Sequence, residues 1–123
     1  MNTKFPKTEK LKSRKIIGSL FKEGKSITKF PIKVLYLSSE KSETQVTFAV
    51  PKRNFKLAVT RNRIKRQMRE AYRLQKGIIA TSEVEKLSIL FLYIHKEKPT
   101  YQQVYKAIGN LLVKVSETHK ISE

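Results

Sequence analysis

The chain has 123 residues, no cysteine, and 27 Lys and Arg against 10 Asp and Glu, a formal net charge of +17. That length fits one domain, residues 1–123, with a single core, and the missing cysteine excludes disulfide frameworks, thiolate metal sites and thiol nucleophiles. The longest purely apolar run, Ile89 to Ile94, is far short of a membrane span, and the N-terminus lacks the apolar core of a signal peptide, so a cytoplasmic protein with no membrane partner is expected.

From about Thr8 to Glu23, Leu11, Ile17, Leu20 and Phe21 share one helical stripe, which predicts a helix stopped by Gly24. Phe30, Ile32, Val34 and Tyr36 alternate, as do Val46, Phe48 and Val50; both runs read as strands, and the polar stretch 38–44 is expected to join them as a hairpin. Leu57-Ala58-Val59 is a candidate third strand. Thr60 is then the candidate N-cap of a helix reaching about Lys76, with Gly77 placed to end it. At about 100° per residue, Ile64, Met68, Ala71, Tyr72 and Gln75 fall on one face of that helix, while Asn62, Lys65, Arg66, Arg69, Arg73 and Lys76 gather on another. Leu87 to Ile94 suits a strand buried on both faces, and Thr100 with Gln103 forms a capping box for an amphipathic helix through Val115. The order α-β-β-(β)-α-β-α predicts an α+β sandwich of one sheet and helices, with residues 1–7 and 117–123 frayed.

Between Pro51 and Lys76 ten Lys and Arg stand against one acid, Glu70. Residues 1–25 are also strongly basic and the rest of the chain is nearly neutral, so a fold that brings the two basic segments together creates one positive face. Such density repels itself unless a polyanion neutralises it. A solvated helix face interleaves acids, and this one does not. Arg61 and Arg63 also oppose the helix macrodipole by roughly a few tenths of a kcal/mol, a cost that a docked phosphate offsets. Strands, not a second helix, flank the basic helix, and forked Arg donors beside Asn62 with aromatics nearby suit structured RNA better than base-edge reading of DNA.

Phe21, Tyr36 and Phe48, with Ile17 a turn before Phe21, each read singly as core, but a sheet face lined by aromatics and rimmed by cations would stack the bases of an unpaired strand. Catalytic candidates are poor. His95 and His119 are the only histidines, the acids show no paired spacing, and there is no glycine-rich phosphate loop, so no catalytic residue and no metal ligand is assigned to the polypeptide.

The run from Ala49 to Arg73, with Ala58-Val59-Thr60-Arg61-Asn62-Arg63-Ile64-Lys65-Arg66-Gln67-Met68-Arg69-Glu70 at its heart, resembles the bacterial ribonuclease P protein component, whose signature is Ala-Val-x-Arg-Asn-Arg-x-Lys-Arg-x-x-Arg-Glu. The similarity extends to Leu11 to Lys15, to Leu20 to Gly24, and to the apolar strand with Lys96-Glu97-Lys98-Pro99 and the last helix. Two departures stand out. Ile17 replaces an aromatic residue, and Lys52-Arg53-Asn54-Phe55-Lys56-Leu57-Ala58 replaces a Lys-Lys-x-Gly-Lys-Ala pattern.

The resemblance implies a two-layer α-β-β-β-α-β-α sandwich with one four-stranded sheet and a left-handed βαβ crossover, against the usual preference. It implies the protein subunit of a ribonucleoprotein endonuclease that removes the 5′ leader from precursor tRNA, the catalytic RNA with Mg2+ doing the chemistry and the protein holding no cofactor. Its partners are then the catalytic RNA and precursor tRNA, with no obligate protein partner. On this reading Lys56, Arg61, Asn62, Arg63, Lys65, Arg66, Arg69 and Arg73 contact the catalytic RNA. Arg14, Ile17, Phe21, Tyr36, Phe48, Lys52 and Arg53 form a cleft for the single-stranded leader. The alternative is a non-enzymatic basic RNA-binding protein, ribosomal or an RNA chaperone.

Overall fold

The structure, a computed structural model, describes residues 9–80 and 84–118. Most of the ends expected to fray, and His119, lie outside the described residues, whereas Glu117 and Thr118 belong to the last helix.

Helix α1 (Arg14–Glu23) starts later than its apolar stripe suggests, because Ser13 caps it by accepting the Ile16 N–H at 3.3 Å. Residues before that cap run as an arm beside the sheet, where the Leu11 N–H donates to the Val46 carbonyl at 2.9 Å. Gly24 does end the helix, through close approach and not a left-handed backbone. Its φ is −63°, and a Cβ there would stand 2.3 Å from the Leu20 carbonyl oxygen that its own N–H bonds.

The sheet holds β1 (Lys25–Lys29), β2 (Ile32–Ser38), β3 (Gln45–Ala49) and β4 (Leu87–Tyr93) in the order β1-β2-β4-β3. Antiparallel ladders join β1 to β2 and β2 to β4, and a parallel ladder joins β3 to β4. Two expectations are corrected here. Leu57-Ala58-Val59 is no strand, since Leu57 caps helix α2 (Ala58–Gln75); the additional strand is β1, where Ile27 alone is half-buried and no alternation can be read. Nor do residues 38–44 close a hairpin, because β4 lies between β2 and β3. A strand apolar on both faces gains most from the central position, where neighbours on either side satisfy its ladder and layers cover both its faces.

Pleating sends Ile32, Val34, Tyr36, Val46, Ile89, Phe91 and Tyr93 toward the main core, against Ile64, Met68 and Tyr72 of α2 and Val104, Ile108, Leu111 and Val115 of α3 (Tyr101–Thr118). On the opposite face Leu35 and Leu90, with half-buried Leu37, Ala49 and Leu92, meet Leu11 of the arm and Ile16, Ile17 and Leu20 of α1. The sandwich of sheet with α2 and α3 is thus joined by a smaller apolar layer under α1. The Thr100 and Gln103 capping box forms at the start of α3, each side chain bonding the other's amide at 3.2 and 3.0 Å. Helix α2 passes into a 3-10 turn, Lys76–Ile78, so Gly77 lies inside the turn.

Candidate nucleic-acid interface

Helix α2 begins at Leu57 with no side-chain cap, so Thr60 sits in the first turn and is not the N-cap. No acid occupies that turn, which leaves its amides and its dipole end facing outward without a negative partner. Arg61 points back toward the chain that enters the helix: Nη1 donates to the carbonyls of Phe55 and Lys56, both at 2.8 Å. Phe55 itself is buried, its ring 5.9 Å from that of Tyr93. The turn carrying Lys52, Arg53 and Lys56 is therefore held at both the helix and the sheet, and those three side chains stay exposed. Arg61, expected to contact RNA, thus spends Nη1 on carbonyls of its own chain, which makes it a weaker candidate for RNA than its place on the helix suggests.

Further along α2 the buried residues Ile64, Met68, Ala71 and Tyr72 turn Asn62, Arg63, Arg66 and Arg69 to solvent, with Lys65 half-buried at the edge. Arg63, Lys65, Arg66 and Arg69 make no ion pair among the described residues. At the other end of the helix the bases are matched to acids. Arg73 grips Glu70 through Nη2 and, at 3.2 Å, through Nε, and Lys76 meets Glu9 at 3.0 Å. The hydrogen bond from Arg73 holds the Glu70 carboxyl below its ordinary range, and the same bond raises Arg73. Arg73 is thus a weaker candidate for RNA than its place on the helix suggests. The unmatched stretch, residues 62–69, spans about 10 Å of helix axis.

Two hollows border that stretch. On one side Lys10, Lys12, Thr47, Phe48, Lys65 and Arg69 line a groove of about 210 Å³ whose lining contains no acid. On the other, Thr60, Arg63, Ile64 and Gln67 face Lys98 and Pro99 across about 250 Å³. The two basic segments of the chain do meet, at the first of these. Lys10, Lys12 and Lys98 escaped the reading of individual residues because only the pairing of the arm with β3 and the turn after β4 bring them beside α2.

The aromatic cleft is not assembled as expected. Tyr36 is only 4% exposed and belongs to the main core with Ile32 and Val34. Phe48 is half-buried on the same face, stacked on Phe91 at 5.8 Å and edge-on to Tyr72 at 6.2 Å. Ile17 and Phe21 ride on α1, over the other face of the sheet. Strand alternation explains the separation, since α1 packs on the parity of Leu35 and Leu37, one residue out of step with Tyr36. The surface that remains beside α1 has half-buried Ile17, Leu37, Ala49 and Leu92 as its apolar part, with Phe21 57% exposed at its margin. Arg14 is exposed on the same helix, and Lys52 and Arg53 are exposed in the turn that follows β3.

His95 lies 3.5 Å from Glu97 and edge-on to Phe30, with ring centroids 4.8 Å apart. Among the described residues no group of three or more His, Cys, Asp or Glu is placed to hold a metal ion, and no helix is long and apolar enough to cross a membrane.

A family model described as Ribonuclease P matches residues 5–116. The chain is 34% identical over 116 residues to the ribonuclease P protein component of Porphyromonas gingivalis, a match covering 89% of this chain and 85% of that one. It is 36% identical over 129 residues to the ribonuclease P protein component of Chlorobium phaeobacteroides, covering 90% and 88%. Among solved structures, the RNase P protein from Thermotoga maritima superposes with a TM-score of 0.73 at 27% identity, over 86% of this chain and 96% of that one. The Staphylococcus aureus RNase P protein gives 0.71 at 21% identity over 91% and 98%, a likeness of fold.

Proposed function

The chain belongs to the ribonuclease P protein family, and from that premise we propose that α2 holds the catalytic RNA through Asn62, Arg63, Lys65, Arg66 and Arg69, while the surface beside α1 takes the leader of precursor tRNA. It is a protein subunit of ribonuclease P, the endoribonuclease that removes the 5′ leader from precursor tRNA, and its family pairs it with the ribonuclease P RNA.

The observation that carries the assignment of α2 is the contrast along one helix. Arg73 and Lys76 are matched to acids within the fold, whereas Arg63, Lys65, Arg66 and Arg69 are not. Like charges clustered without acids repel in the isolated protein, and a phosphate backbone that neutralises them releases counterions on binding. Lys56, Lys10 and Lys12 extend the same positive surface. Beside α1, Phe21 and the apolar side chains around it offer stacking and contact area for unpaired bases, and Arg14, Lys52 and Arg53 offer partners for phosphates.

In this reading the polypeptide positions two RNAs and the catalytic RNA, with Mg2+, carries out the cleavage in the cytoplasm. Reconstitution tests it. Precursor tRNA is incubated with the catalytic RNA at limiting magnesium, with and without the protein, and the protein is expected to restore cleavage at the 5′ leader junction. Cleavage by the purified chain without RNA would overturn the assignment of chemistry to the RNA.

A further inference from the structure

We propose that the hollow between the β1–β2 turn and the first turns of α3 receives an unpaired nucleotide of the catalytic RNA, its base on Phe30 and its phosphates on Lys29, Lys98 and Lys106. This rests on the reading that the same RNA lies along α2.

Phe30 is 62% exposed at the tip of the first hairpin. A single exposed apolar side chain is ordinary, but this one is held in place. The Pro31 carbonyl accepts the Ile94 N–H at 2.9 Å, which fastens the tip to the end of β4, and His95 just beyond sets its ring against that of Phe30 at 61°. The result is a fixed aromatic surface at the mouth of a hollow of about 490 Å³. That volume lies within the roughly 300–1,000 Å³ of sites that take small ligands. Lys29, Lys98 and Lys106 line it, and its one acid, Glu97, is turned to His95. A fixed aromatic ring ringed by lysines is the combination that stacks a base and holds its backbone.

Continuity decides which RNA. Lys98 lines this hollow and also the one that Arg63 and Gln67 close on α2, so the two hollows adjoin at a shared cation. The α1 surface proposed for the leader is on the other face of the sheet, away from α3.

The test uses the full chain and its catalytic RNA. Phe30→Ala is expected to weaken RNA binding by roughly fivefold to a hundredfold while leaving the log-log salt slope unchanged, because stacking releases no counterions. Phe30→Trp is expected to keep the affinity and Phe30→Leu to lose it. Lys106→Gln is expected to lower the salt slope by just under one unit. A benzophenone amino acid at position 30 is expected to crosslink the catalytic RNA in the holoenzyme. Arg63→Ala with Arg66→Ala serves as the control for α2. If that pair weakens binding and Phe30→Ala does not, the nucleotide site is wrong and the α2 reading stands; if neither does, both fall. Crosslinks confined to precursor tRNA would overturn the choice of RNA.

Discussion

Arg61, in the first turn of α2, donates from Nη1 to the carbonyl oxygen of Phe55 at 2.8 Å, tying the helix to the turn that leads into it. Arg61→Ala is therefore expected to act through the fold as well as through charge. Loss of this bond and its companion to Lys56 should destabilise the protein by about 1–3 kcal/mol, seen as a lower thermal midpoint. It should also loosen the turn bearing Lys52, Arg53 and Lys56. The salt slope of RNA binding should fall by less than for Arg63→Ala. An equal fall would mean that Arg61 meets phosphate directly.

Arg63→Ala combined with Arg66→Ala should lower the log-log salt slope of catalytic RNA binding by somewhat less than two units, with thermal stability nearly unchanged, since both side chains are exposed. Filter binding across a potassium chloride series measures it. An unaltered slope would remove both residues from the interface.

Glu70 offers a change of opposite sign. Glu70→Gln raises the net charge of the helix by one and removes the carboxylate that Arg73 grips, so RNA affinity should rise severalfold at low salt. The pH dependence follows from the lowered carboxyl. Its contribution to folding is present above the ordinary Glu value of 4.5 and is lost as pH falls below it through the depressed folded value. Thermal melts from pH 6 to pH 3 should show the wild type losing more stability than Glu70→Gln.

Tyr36 and Phe21 should separate cleanly. Tyr36→Ala removes a buried side chain and should cost about 3–5 kcal/mol, with equal losses for precursor and mature tRNA that follow the loss of folded protein. Phe21→Ala removes an exposed one, and should weaken binding of precursor with a leader while sparing mature tRNA and stability.

Gly109 gives a test of the α2 to α3 junction that is independent of RNA. A Cβ at 109 would stand 2.3 Å from Oε1 of Gln75, whose Nε2 donates to the carbonyls of Ala71 and Tyr105 at 3.1 and 2.9 Å. Gly109→Ala should destabilise the wild type, because Gln75 must give up those bonds. In a Gln75→Ala background the same change should stabilise by about 1 kcal/mol, the helix preference of Ala over Gly. Urea titrations of the four proteins show whether the sign reverses.

What could be read before the structure was local. The capping box of Thr100 and Gln103, the stop at Gly24 and the buried stripe of Ile64, Met68 and Ala71 depend on residues within a turn or two of one another. Strand β1 could not be read, because its one half-buried residue, Ile27, leaves no period. The order of the strands was equally hidden, since nothing within 38–44 says that a strand from residue 87 onward will separate its neighbours. For the site, the charges of α2 were legible but their availability was not. Arg61 is engaged by carbonyls five and six residues back, and Lys76 by Glu9 from the far end of the chain. The parity of Tyr36 was plain from alternation; which face α1 would cover was not.

The place of β4 at the centre of the sheet bears on the order in which the molecule can come together. As the chain leaves the ribosome, β2 and β3 are made first, yet they share no ladder and are joined only when β4 arrives to pair with both. Helix α2 lies on the path from β3 to β4 and packs on the face that this last strand completes. A nascent chain ending before residue 87 already displays the cations of α2 but has no finished sheet to seat them. If α2 binds the catalytic RNA as proposed, firm capture waits for almost the whole polypeptide, and RNA bound to α2 in its native setting stabilises the sheet along with the helix.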